Sequence, residues 1–190
     1  SDNGLPAELA IQACNTSLQA LALSGKQEAS EEGGISERLT PGQILSDIHH
    51  YKTGILFQST WAIPCLFENK LLQETLSTKQ ALYQIGIGCQ LLDDITDLFI
   101  DLQEHRHNYM ASVIFHEEPQ HVRDHLQAAI SANQPQTTFY AACPDLAARM
   151  RSKAMTILEQ GLGGLFLDRH QQAIRPAAAF IAQRIGVDPY

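Results

Sequence analysis

Gln90-Leu91-Leu92-Asp93-Asp94-Ile95-Thr96-Asp97-Leu98-Phe99-Ile100-Asp101 is the stretch on which the reading of this chain turns. Placed on a helix, Tyr83, Gly86, Gln90, Asp93, Asp94, Asp97, Asp101 and Glu104 fall on one stripe about 100° wide. Leu91, Leu92, Ile95, Leu98, Phe99 and Leu102 take the other side, which predicts a long amphipathic helix over roughly 71–104. A solvated helix face normally mixes Glu with Lys at i,i+4, yet no Lys or Arg stands between Gln80 and His105. Asp is also a poorer helix former than Glu. Carboxylates held close to a backbone at a cost suit a hard cation. Mg²⁺ is commonly held by one or two carboxylates and completes its shell with water and phosphate oxygens. Asp93, Asp94 and Asp97 are the expected metal ligands. Gly86 and Gly88 either let another helix approach closely or leave room for a ligand.

Working outward, helical patterns fill the chain, and no segment alternates with period two. Pro6 opens a helix that carries Ala10, Cys14, Leu18, Leu21 and Ala22 and ends near Ser24-Gly25. An exposed loop follows at about 25–39. Thr40 caps a second helix that starts at Pro41 and runs to about Ile63. After a break near His105–Tyr109, short helices are predicted near 110–116 and 119–131. A turn is predicted at 133–138, then helices from Pro144 to Gly161 and over 168–185, the last kinked at Pro176. The expected class is all-α, with residues 1–190 forming a single helical domain.

Composition bounds the function. The chain has 190 residues, 44% hydrophobic and 18% charged, enough apolar material for one core. Acidic residues outnumber basic ones 21 to 13, giving a net charge of -8 and a pI near 5.4, which argues against a nucleic-acid partner. No apolar run reaches the ~18 residues of a membrane span. The four cysteines, Cys14, Cys65, Cys89 and Cys143, are scattered, without a Cys-x-x-Cys pair. They are expected to be buried free thiols in a cytoplasmic protein. His121 and His125 are i,i+4, but the segment lacks His-Glu-x-x-His, and Glu118-Pro119-Gln120-His121 is a single, proline-interrupted Glu-x-x-His, so a histidine metal site is not expected.

On the second helix, Lys52 shares a face with Leu45, Ile48, Ile55, Leu56 and Ser59. Such a lysine either snorkels to water or meets an anion in a polar cavity. With Mg²⁺ it would neutralise a diphosphate and make it a good leaving group.

Tyr51-Lys52-Thr53-Gly54-Ile55-Leu56-Phe57 resembles the Lys-Thr-Gly-x-Leu-Phe segment of trans-isoprenyl diphosphate synthases. Gln90-x-x-Asp93-Asp94-x-x-Asp97, about 40 residues on, resembles the second aspartate-rich motif of that family with its preceding Gln. The likeness covers roughly residues 8–105; Gly25-Lys26-Gln27-Glu28 matches a Gly-Gln segment poorly. The resemblance implies a helical bundle of isoprenoid-synthase type around a central cavity. It also implies Mg²⁺-dependent transfer of an allylic prenyl diphosphate onto isopentenyl diphosphate, with a homodimer as the usual assembly. Lys52, Thr53 and Gln90 would be catalytic and substrate-binding, and Asp93, Asp94 and Asp97 would hold metal. Arg106 is a further phosphate-binding candidate. The first aspartate-rich motif is absent, so the chain is expected to be the C-terminal part of a larger enzyme, inactive by itself. The segment Glu104-His105-Arg106-His107-Asn108-Tyr109 replaces the usual Gly-Lys and further Asp. That departure keeps open a divergent terpene cyclase, a head-to-head condensing relative, or a non-catalytic helical subunit of a heteromeric synthase.

Overall fold

A computed structural model describes residues 6–62, 64, 72–166 and 168–188. Every regular element among them is helical, as the periodicity predicts. Helix α1 is Ala7–Ser30. A continuous rod, α2, starts at Pro41 and ends at Ser59. Then come α3 (Leu72–Thr96), α4 (Leu98–Gln103), α5 (Tyr109–His116), α6 (Gln120–Ile130) and α7 (Pro135–Ala142). Helix α8 is Pro144–Leu165, a 3₁₀ segment covers Asp168–Ala173, and α9 is Ile174–Ile185. No described helix is long and apolar enough to cross a membrane.

The start of α2 follows from its sequence. Thr40 Oγ1 accepts from the Gln43 N–H (3.4 Å), and Gln43 Oε1 accepts from the Thr40 N–H (3.0 Å). This reciprocal capping, with Pro41 at the first helical position, satisfies donors that the helix leaves free. The middle of the rod departs from the 3.6-residue period. Ile44–Gly54 is wound as a π-helix, with i→i+5 hydrogen bonds. That wider winding brings Ile44, Ile48, His49 and Gly54 toward one face, and all four are buried. The ordinary helical period would not bring His49 beneath Ile44. The rod's expected extension to Ile63 includes a residue outside the described ones, and α2 itself stops at Ser59.

Helix α3 lies at the centre, against α2, α5, α8 and α9. Its crossings with α2 and α8 depend on glycine. A Cβ on Gly86 would stand 3.0 Å from Thr53 O and Phe57 Cγ, and one on Gly88 would stand 2.9 Å from Leu158 N and Cβ. Opposite them, a Cβ on Gly161 would stand 2.7 Å from Ala81 O. Of the two roles open to Gly86 and Gly88, the structure supports close helix approach. Leu92, Leu98, Ile114, Phe139 and Leu158 are fully enclosed in the core, each contributing roughly 1.5–3 kcal/mol of apolar burial.

Several boundaries differ from those expected. Helix α1 passes through Gly25 and reaches Ser30, so the loop begins later than 25. The long third helix hitches at Asp97 (φ -98, ψ 5), which divides α3 from α4. Residues 135–142 are helix, because Pro135 opens it where a turn was expected. Pro176 lies in the first turn of α9, where its missing N–H costs nothing, so it does not kink the helix. Of the cysteines, Cys14 is exposed, Cys89 half-buried and Cys143 buried, all free; Cys65 lies outside the described residues.

The segment after α1 is a strap tied to the loop that follows α4. The Ile35 N–H donates to His105 O (2.8 Å), and the buried Glu31 carboxylate accepts from the His107 N–H (2.9 Å). Further on, the Arg38 guanidinium lies over the Phe115 ring at 4.2 Å.

Candidate functional site

Asp94 is the best-held residue of the stripe. It is 3% exposed. Its Oδ2 lies 3.0 Å from His49 Nε2 on α2 and accepts the Tyr109 N–H at the start of α5 (2.6 Å). Its Oδ1 accepts from Gln90 Nε2 (3.1 Å), one turn earlier on α3. Burial pushes this carboxyl up. The His49 charge and the hydrogen bonds from His49, Tyr109 and Gln90 outweigh it and hold the group below the usual carboxylate range. Asp94 therefore joins three helices, and both of its oxygens are engaged. His49 is 1% exposed, and its Nδ1 finds no hydrogen-bond partner among the described residues.

Asp93 sits beside this network and faces outward. Its Oδ2 accepts from Gln90 Nε2 at 3.3 Å, so one amide orients both neighbouring carboxylates. Partial burial, then the charges of Asp97 and Asp94, raise the Asp93 pKa, against Lys52 and the Gln90 bond. Asp97 is half-exposed at the hitch and accepts from Thr96 Oγ1 (3.2 Å). Asp101 accepts from Asn108 Nδ2 (2.8 Å), which also donates to Asp94 O (2.8 Å). Burial lifts the Asp101 carboxyl to about 6, with Asn108 and Lys52 opposing and Asp94 and Asp97 assisting.

Lys52 stands in the same field. Its Nζ pairs with Glu28 Oε1 on α1 at 3.1 Å, with the lysine side chain 20% exposed. Burial works against its charge, but Glu28, followed by Glu31 and Asp94, keeps its pKa above the ordinary value. Lys52 in turn favours the ionised forms of Asp93 and Asp101. Thr53 Oγ1 donates to His49 O (3.2 Å), a bond within the rod. Arg106 is apart from this group in its side-chain bonding: its Nε pairs with Glu104 at 3.0 Å. Its backbone N–H donates to Asp101 O (2.8 Å), which fixes it beyond the far end of the stripe.

The structure thus links Gln90, Asp93, Asp94 and Asp101 through the hydrogen bonds of Gln90 and Asn108, with Asp97 at the edge of the group and Lys52 on the neighbouring α2. His49, Glu28, Glu31, Asn108 and Tyr109 complete it, and the helical period singles out none of these as site residues. His49 is concealed by the change of helical period, and Glu28 and Glu31 stand in a segment that reads as loop. His121 and His125 are exposed, their rings edge-on at 6.3 Å. Among the described residues no group of three His, Cys, Asp or Glu side chains is already gathered around a metal position. No protein-family model, no curated protein and no solved structure matches the chain.

Proposed function

We propose that this chain is the diphosphate-binding part of a Mg²⁺-dependent prenyltransferase, acting on an allylic prenyl diphosphate and isopentenyl diphosphate around a central cavity. The observation that supports this is the packing of α2, which carries Lys52 and Thr53, along α3, which carries Asp93 and Asp94, with Thr53 O only 3.0 Å from where a Cβ on Gly86 would stand. Mg²⁺ needs oxygen ligands and tolerates one or two carboxylates. Asp93 and Asp97 lie one turn apart on the same face and are not closed off by buried donors, so they fit. Asp94 fits as the anchor that fixes this turn of α3, because its oxygens already accept from His49, Tyr109 and Gln90. Gln90 sets the angle of both acids.

When bound, Mg²⁺ would offset the charge of the diphosphate and so ease its departure. Lys52 would exchange Glu28 for a diphosphate oxygen, a like-for-like replacement of one anion by another. Glu28 is the more exposed partner, at 47%, and can turn to water. A second reading is a helical subunit that keeps this architecture without chemistry. The enclosed carboxylate of Asp94 favours it, since that group serves the fold whether or not metal is present.

Thermal melting with Mg²⁺ and inorganic diphosphate tests the reading. A ligand that binds only the native state raises the melting temperature, by about 2.7 kcal/mol of stabilisation at a hundredfold excess over Kd. The shift is expected with both ions together and is expected to vanish in Asp93→Asn. An unshifted melting curve for the parent chain would sink the proposal.

A further inference from the structure

The last two turns of α1 put four polar side chains on one face: Ser24, Gln27, Glu28 and Glu31 follow at i, i+3, i+4 and i+7. Ser24 Oγ donates to Lys52 O (2.9 Å), and Lys52 Nζ pairs with Glu28 Oε1 at 3.1 Å. Lys52 is thus held by α1 at both its backbone and its ammonium group. Gln27 Nε2 donates to Glu31 Oε1 (3.2 Å), and Glu31 Oε2 accepts the His107 N–H (2.9 Å). The strap adds the bond from the Ile35 N–H to His105 O, and Gly34 takes φ 78 where the strap meets His105. The loop that receives these bonds runs on to Asn108, the donor to Asp94 O and Asp101 Oδ2. The end of α1 is therefore tied on one side to Lys52 and on the other to the segment that holds the aspartate stripe.

A free, half-exposed glutamate would be a weak competitor for a lysine. Glu28 is not free. It sits between the ties of Ser24 and Glu31, so its carboxylate stands beside Lys52 at the high effective concentration of an intramolecular partner. An anion from solution has to displace it. We infer that the end of α1 and the strap form an autoinhibitory clasp, in which Glu28 occupies Lys52 in place of a diphosphate oxygen and the fastening of Glu31 and Ile35 to the loop after α4 keeps it there. The inference rests on the diphosphate reading of Lys52 and adds a closed state to it. A closed state lowers the apparent affinity by the fraction of molecules left open. The coupling is reciprocal: a clasp that weakens anion binding is itself loosened by a bound anion.

Isothermal titration calorimetry of the full chain with inorganic diphosphate and Mg²⁺ tests the clasp. Glu28→Gln keeps the length of the side chain and removes its charge. It is expected to bind about two- to fivefold more tightly than the parent chain. Gly34→Ala reaches the clasp without changing any charge: φ 78 disfavours alanine, and its Cβ would stand 3.2 Å from His105 Cβ. It is expected to tighten binding in the same direction and to add nothing in the Glu28→Gln background. Hydrogen exchange gives a second readout. Amides of residues 24–31 in the parent chain should exchange faster with Mg²⁺ and diphosphate bound, the reverse of the protection a ligand ordinarily confers. Binding by the parent chain that neither variant tightens, or amides 24–31 that slow or keep their rate, overturns the clasp and leaves the diphosphate reading standing. Absence of binding by the parent chain and both variants overturns the two together.

Discussion

At the scale of residues, Asp94 concentrates both the stability and the pH response of the site. Asp94→Ala removes the acceptor of His49, Tyr109 and Gln90 together. Loss of one member of a buried pair costs about 3–5 kcal/mol, to be read as a lowered midpoint in urea unfolding. The carboxyl is held below its unfolded pKa of ~3.9, so its contribution is present above that pH and is lost as the pH falls through the lower, folded value. Asp101 has the opposite sign. Its folded pKa is raised to about 6, so its favourable contribution is complete below ~4 and disappears as the pH climbs to 6. Asp101→Asn should therefore reduce the change in stability between pH 4 and 6, read from urea midpoints across that range. Of these two acids the sequence gives the positions but not the roles. Both lie on the stripe, and only the contacts with His49 and Asn108 decide which one is anchored and which one titrates.

At the scale of elements, close helix crossings set where the stripe stands. Gly88→Ala drives a Cβ to 2.9 Å from the Leu158 backbone nitrogen, which cannot yield as a flexible side chain would. A loss of about 1–3 kcal/mol is expected from such overpacking, measured by chemical denaturation. Gly42→Ala, with nothing within 4 Å, serves as the control and should be neutral or stabilising by up to about 1 kcal/mol. Helices announced by a 3.6-residue apolar period or by Pro at the first position were legible: α3, α6 and α8 lie where their patterns place them. The π-wound centre of α2 was not, because a wheel drawn at 100° per residue puts His49 on the wrong side. Helix α1 overruns Gly25 because nothing forces that glycine out of a helix whose flanks continue the pattern. Helix α7 was hidden by a proline that reads equally well as the corner of a turn.

At the scale of the molecule, α1 and the body are unequally secured. Helix α1 packs chiefly on α2, whereas α3 and α8 are pressed together along much of their length. Segments with few buried apolar contacts open at lower free energy than the core. Hydrogen exchange on the full chain should find α1 amides exchanging ahead of those in α3 and α8. Uniform protection across all three would refute that ordering. Helix α2 lies between the two layers, which gives its wide coil a consequence beyond its own residues. A chain shorter by one residue between Ile44 and Gly54 could relax to ordinary winding, but everything after the deletion would rotate by about 100°. Lys52 would then swing away from Glu28, and the layers would fall out of phase as meshed gears do when a tooth is lost.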